Sequence, residues 1–280
     1  MGFLSDTVDT RRIEGKSAIY AYRDFGVASA SPPLVLLTRF RATMDHWDPA
    51  FLDLLASERR VILFDNAGVS ESSGEVASTF AGMAETAVDF ITALGLKKVD
   101  LLGWSIGGFI GQMLALNHPN LVRRLLVVGS GPGGVPGSPA QDPRVPQMMT
   151  APVSTEEHFL YLFFGLDEES QRVGKESLKR LEPRLSKSHA DVSAEAWGRQ
   201  LQAIMKWAGG DGSAWSRLEE ITIPVLVANG AHDVMVDADN SFAMVRRMKN
   251  ATALFYGDAG HAFLFQHPDE FARATLDFVR

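Results

Sequence analysis

The sequence predicts an α/β fold: a mostly parallel sheet, doubly wound by helices on its two faces and interrupted by an inserted helical cap. Three observations predict it. Short apolar runs alternate with longer amphipathic segments up to Val128, the alternation breaks down after that residue, and it resumes at Pro224.

Taken in order, residues 13–25 read as two alternating strands of an antiparallel hairpin. Short apolar runs at 34–37, 61–64, 99–104 and 125–128 predict buried strands, and helical spacing of apolar residues predicts helices over 47–56, 83–94 and 106–116. Residues 129–146 are rich in Gly, Pro and Ser, and a helix-biased stretch without a convincing strand follows. The alternation then runs through 224–228, 243–248 and 253–256 and closes on an amphipathic helix at 268–279. The expected division is therefore a first core part at 1–131, a helical cap at 132–217 and a second core part at 218–280. There is no internal repeat.

Composition narrows the function. With 46% apolar and 22% charged residues, the 280-residue chain has material for a large buried core. A net charge of -7 argues against a nucleic-acid partner, because phosphate binding draws on clustered Lys and Arg. The pairs Arg123-Arg124 and Arg246-Arg247 are read as solvated element ends. Cysteine is absent, so no disulfide or thiolate chemistry is available. Neither a signal peptide nor a membrane span is visible, which predicts a cytoplasmic protein with no membrane partner. His46, His118, His158, His189, His232 and His267 never pair at the spacing of a zinc helix, so no metal is expected and no other cofactor is implied. The run Gly129 to Gly134 has the spacing of a dinucleotide motif, but Pro132, Pro136, Pro139 and Pro143 prevent a phosphate-facing helix from starting there. It reads as a loop leading into the cap.

The strongest chemical signal is Gly103-Trp104-Ser105-Ile106-Gly107, between an apolar strand and a run of helix formers. A serine in such a turn presents its hydroxyl above the sheet, beside the positive end of a helix. A serine hydroxyl is a weak nucleophile at neutral pH, so a base must accept its proton and an acid must orient that base. His261, in Gly257-Asp258-Ala259-Gly260-His261, and Asp233, in Asn229-Gly230-Ala231-His232-Asp233, both follow expected strands, at the carboxyl edge where open α/β sheets place their sites. Asp258 competes with Asp233 but is too near His261 along the same loop to reach the far ring nitrogen. His232 neighbours the acid but should point another way.

The order Ser105, Asp233, His261 on three strand ends resembles the α/β-hydrolase fold, over about residues 30–130 and 220–280. More narrowly, it resembles the cofactor-free esterase and haloperoxidase-like branch with a helical cap. Val61 to Asn66 is similar to that family's strand ending in Asp, and Gly260-His261 with Pro268 and Phe271 to its histidine loop. The resemblance implies a nucleophile at Ser105, a base at His261 and an orienting acid at Asp233. Many members carry His-Gly where this chain has Thr38-Arg39-Phe40; alignment on the aromatic implies an oxyanion hole from the amides of Phe40 and Ile106. The loop Asp65 to Ser70 also departs from the family, at Ala67 and Ser70.

The implied activity is hydrolysis of an ester, thioester or lactone of a moderately sized, largely apolar small molecule. A carbon–carbon hydrolase or perhydrolase would use the same residues, and a non-hydrolytic receptor is the reading from another class. Trp104 and Phe163, within the apolar cluster 159–164, are expected to line the substrate pocket. Oligomeric state is not readable.

Overall fold

The computed structural model describes residues 2–28, 30–188 and 191–280; His189 lies outside the described residues. The chain forms α1 (Leu4–Thr7), β1 (Arg11–Glu14), β2 (Ile19–Gly26), β3 (Leu34–Leu37), α2 (Pro49–Ala56), β4 (Arg60–Phe64), α3 (Phe80–Ala93), β5 (Val99–Trp104), α4 (Ile106–Asn117) and β6 (Val122–Val128). Among the described residues, four helices then follow without a strand: α5 (Arg144–Met149), α6 (Glu156–Phe163), α7 (Glu168–Leu185) and α8 (Ala194–Ala208). The chain ends with β7 (Val225–Gly230), α9 (Ala238–Arg247), β8 (Ala251–Tyr256), α10 (Phe263–Gln266) and α11 (Pro268–Phe278). Residues 243–248 of the expected alternation thus fall mostly in α9.

One eight-stranded sheet runs β1-β2-β4-β3-β5-β6-β7-β8. The β1–β2 and β2–β4 pairs are antiparallel and the others parallel. Central strands β3 and β5 are buried along their whole length, which requires cover on both faces. Phe90 of α3, Met113 of α4 and Met244 of α9 pack on one face; Phe51 of α2, Phe265 of α10 and Phe271 of α11 pack on the other.

The basic pair at 123–124 is a correction. Instead of facing solvent, Arg123 makes a two-pronged bond to the fully buried Asp100 (2.8 and 2.6 Å), which Arg59 also reaches. Arg59 and Arg123 donate to the Val279 carbonyl and Arg124 to that of Phe278, fastening the end of α11 to the sheet. Such charges are buried because each is paired.

The segment between β6 and β7 is tied to the turn after β3. Asp48, the N-cap of α2, accepts from Ser177 (2.6 Å) and Arg180 (2.7 Å) of α7, and Asp45 accepts from Arg184 (3.1 Å). These bonds hold α7 against that turn.

Candidate active site

Ser105 stands between β5 and α4 with φ 58° and ψ -121°, a left-handed conformation that L-residues rarely adopt. The glycines two residues away permit the crossing: a Cβ on Gly103 would lie 2.2 Å from the Gly107 carbonyl oxygen, and one on Gly107 2.0 Å from that of Leu37. The turn is fixed from several sides. Ser105 N–H donates to Val128 (2.9 Å), and the Ser105 carbonyl accepts from Gly108 N–H (2.9 Å) and Ser130 Oγ (2.8 Å). Ser130 was not singled out in the sequence; only its place just after β6 could have drawn attention to it.

Tertiary structure brings His261 and Asp233 together. The loops after β7 and β8 place His261 Nδ1 2.7 Å from Asp233 Oδ2, with both side chains fully buried. The other carboxylate oxygen of Asp233 accepts from the amides of Met235 (2.8 Å) and Val236 (2.9 Å), leaving the acid no freedom to turn away. Because the acid is an acceptor only, Nδ1 carries the proton and Nε2 holds the free lone pair. Nε2 is buried and makes no hydrogen bond, to Ser105 or anything else, among the described residues. In unliganded enzymes such contacts are often long and tighten only with substrate. Asp258 turns outward instead, pairing with His267 Nε2 at 2.9 Å.

Trp104 is a second correction. Expected as a pocket wall, it is fully buried and lines neither cavity at the site. Its indole Nε1–H donates to the His261 carbonyl (3.0 Å), and its ring lies 5.8 Å from the imidazole. It is a brace behind the histidine, because a residue preceding the turn points back into the sheet layer. Phe163 flanks the imidazole as well, at 5.6 Å, and does line a cavity.

Ile106 is the first residue of α4, so its N–H has no intrahelical acceptor. The Phe40 N–H likewise has no acceptor among the described residues. The turn carrying Phe40 is held from below by Asp65, at the end of β4, whose Oδ1 accepts the Met44 N–H (2.7 Å). Burial pushes the Asp65 carboxyl up to about 7. Sequence reading placed Asp65 at the end of a family-like strand and flagged the loop after it as a departure from the family pattern.

Two cavities meet at Ser105. One, of about 880 Å³, is walled by Phe109, Ile204, Trp207, Val234 and Val236 and reaches His232. The other, of about 870 Å³, is walled by Phe159, Leu162 and Phe163 but also by Arg39, Arg41 and His46. Both are bounded by Ser105, Phe40, Met149 and Met235. No cluster of metal-ligating side chains occurs among the described residues. Nor is any described helix long and apolar enough to cross a membrane.

Residues 32–268 match the family model of the alpha/beta hydrolase fold. The chain belongs to that family. The hydrolase resembles the solved alpha/beta hydrolase fold protein from Chitinophaga pinensis, at 35% identity and a TM-score of 0.87 over 98% of each chain. Among curated proteins it is 27% identical over 268 residues to a protein of Caulobacter sp. strain K31, provisionally named carbamate hydrolase RutD, covering 91% of this chain and 92% of that one. It is 28% identical over 242 residues to the 2-hydroxy-6-oxononadienedioate/2-hydroxy-6-oxononatrienedioate hydrolase 1 of Dechloromonas aromatica, covering 81% and 78% of the two chains.

Proposed function

We propose that this hydrolase cleaves an ester, thioester or lactone of a moderately sized small molecule through an acyl-enzyme on Ser105, with residues 132–217 acting as the cap over the site. One observation carries the reading: a strained serine at a helix N-terminus, bounded by two cavities, on the same sheet edge as a buried His261–Asp233 pair whose Nε2 is free.

Ser105 Oγ attacks the acyl carbon as its proton passes to His261 Nε2. The oxyanion is held by the Phe40 and Ile106 amides, each worth about 3 to 4 kcal/mol when well aimed. Asp233 stabilises the imidazolium through Nδ1–H. The intermediate collapses and expels the alcohol or thiol, which takes the proton from Nε2; in a lactone it stays tethered to the acyl group. Water then attacks the acyl-enzyme, giving its proton to Nε2, and release of the acid restores Ser105.

The test is labelling by a fluorophosphonate probe. Covalent capture of the parent and none of Ser105→Ala is expected; no capture of the parent would favour a ligand receptor on this fold. A second reading, carbon–carbon hydrolysis, is favoured by the Dechloromonas protein, whose named substrates carry a 6-oxo group flanked by carbon. Loss of the dienoate absorbance of such a compound, faster than turnover of any aryl ester, would select it.

A further inference from the structure

Arg39 lines the second cavity but has no role in the proposed reaction. Its Nη1 donates to the Phe40 carbonyl (2.9 Å), while its Nε is buried with no acceptor among the described residues. The guanidinium lies 4.6 Å over the Phe163 ring and 5.6 Å from that of Trp104, the two rings that flank His261. No carboxylate of the described residues comes within ion-pair distance. Among other arginines that reach into the molecule, Arg23, Arg59, Arg180 and Arg184 each meet an aspartate, while Arg41 and Arg124 donate to backbone carbonyls. A buried charge without a counter-ion is expensive, and a cavity wall is where a ligand can supply the missing anion.

His46 lies on the same wall. Burial, reinforced by the Arg39 charge, pushes its imidazole down to about 3, so the ring is neutral. Its Nδ1 accepts the Thr43 N–H (3.1 Å), which leaves the proton on Nε2, a donor with no acceptor among the described residues. The acids that border this cavity, Glu156, Glu182 and Asp191, are exposed at its rim.

We infer that Arg39 and His46 form a carboxylate-binding subsite in the second cavity, so that the substrate is an ester or lactone carrying a free carboxylate on the part that occupies this lobe. The inference rests on the acyl-enzyme reading above and names its substrate class. A planar carboxylate matches the two-pronged donor face of a guanidinium, and the neighbouring imidazole N–H adds a further donor. The apolar wall of Phe159, Leu162 and Phe163 would contact the methylenes between the carboxylate and the scissile bond.

Two substrate series test it: mono-4-nitrophenyl esters of succinic, glutaric and adipic acids, and butyryl esters of 4-hydroxybenzoate, each beside its methyl-capped neutral analogue. The readout is the kcat/KM ratio of charged to neutral ester. A parent preference for the charged ester in one series is expected, falling roughly 10- to 100-fold in Arg39→Gln and less in Arg39→Lys, as for loss of a charge-assisted hydrogen bond. His46→Gln should lower it by a smaller factor. A ratio unmoved by Arg39→Gln, both esters losing alike, or a parent that prefers the neutral ester throughout overturns the subsite. Should Arg39→Gln fail to fold, inhibition of the parent decides: hexanoate must inhibit more strongly than hexanamide, and equal inhibition overturns it. Ser105→Ala that still hydrolyses the neutral ester would sink the acyl-enzyme reading instead, whatever the ratios.

Discussion

At the scale of single residues, Ser105 combines strain with a place where two cavities meet. Ser105→Ala should lower kcat on a small aryl ester by roughly 10⁴-fold or more and leave the melting temperature near the parent's, since the hydroxyl itself adds little stability. Ser105→Gly should be as inactive yet melt above Ser105→Ala, because only glycine adopts φ 58° without a Cβ penalty of about 1 kcal/mol or more. Calorimetry on the two variants checks this; equal melting temperatures would mean that the turn is unstrained. Asp233→Asn should cost on the order of 10³- to 10⁴-fold in kcat, since an amide no longer fixes the Nδ1–H tautomer or balances the imidazolium. Asp258→Asn should cost little, as its partner is His267 at the surface. Steady-state kinetics that reverse this ranking would assign the acid elsewhere.

At the scale of elements, α6 and α8 each contribute a wall of one cavity. Phe163, the aromatic singled out in the sequence, packs against His261, so truncating it would disturb the histidine as well as the wall. Phe159, one turn earlier on α6, has ring contacts to Phe163 and Phe164 but none to the imidazole. It is the cleaner variant. Phe159→Ala should alter selectivity along one homologous series, acyl or alcohol, by about 1 to 3 kcal/mol, and Ile204→Ala of α8 should alter the other. Acetyl and methyl esters should respond least, because they barely fill either lobe. Measured kcat/KM values in which both variants move the same series, or neither series moves, would mean that the lobes do not divide the substrate.

At the scale of the whole molecule, Asp65 couples stability to pH. Its carboxyl is fully buried, and its folded pKa lies near 7, above the ordinary carboxylate value near 4. Between those values the folded protein binds a proton that the unfolded chain has released, so stability falls as pH rises from about 4 to 7 and then levels. Asp65→Asn mimics the neutral acid and can still accept from Met44. The difference in melting temperature, variant minus parent, should therefore grow more positive from pH 5 to pH 8. A difference independent of pH would mean that Asp65 does not titrate in this range.

Local sequence determined the sheet, the turn at Ser105 and the helical break after β6, because each depends on short-range patterns. Apolar runs require burial on two faces, Gly103 and Gly107 permit a close crossing, and the prolines after Val128 end the alternation. The order of Ser105, Asp233 and His261 on strand ends was legible for the same reason. Only the tertiary structure decided what those side chains face. Trp104 read as a pocket wall from its position beside Ser105, yet the reversal of the chain at that turn sends it behind His261. Arg123 and Arg124 read as solvated until α11 brought its carbonyls to them. Arg39 was legible only as a departure from the family's His-Gly. Its lack of a counter-ion is a property of three dimensions, set by which carboxylates the fold places within reach and which it does not.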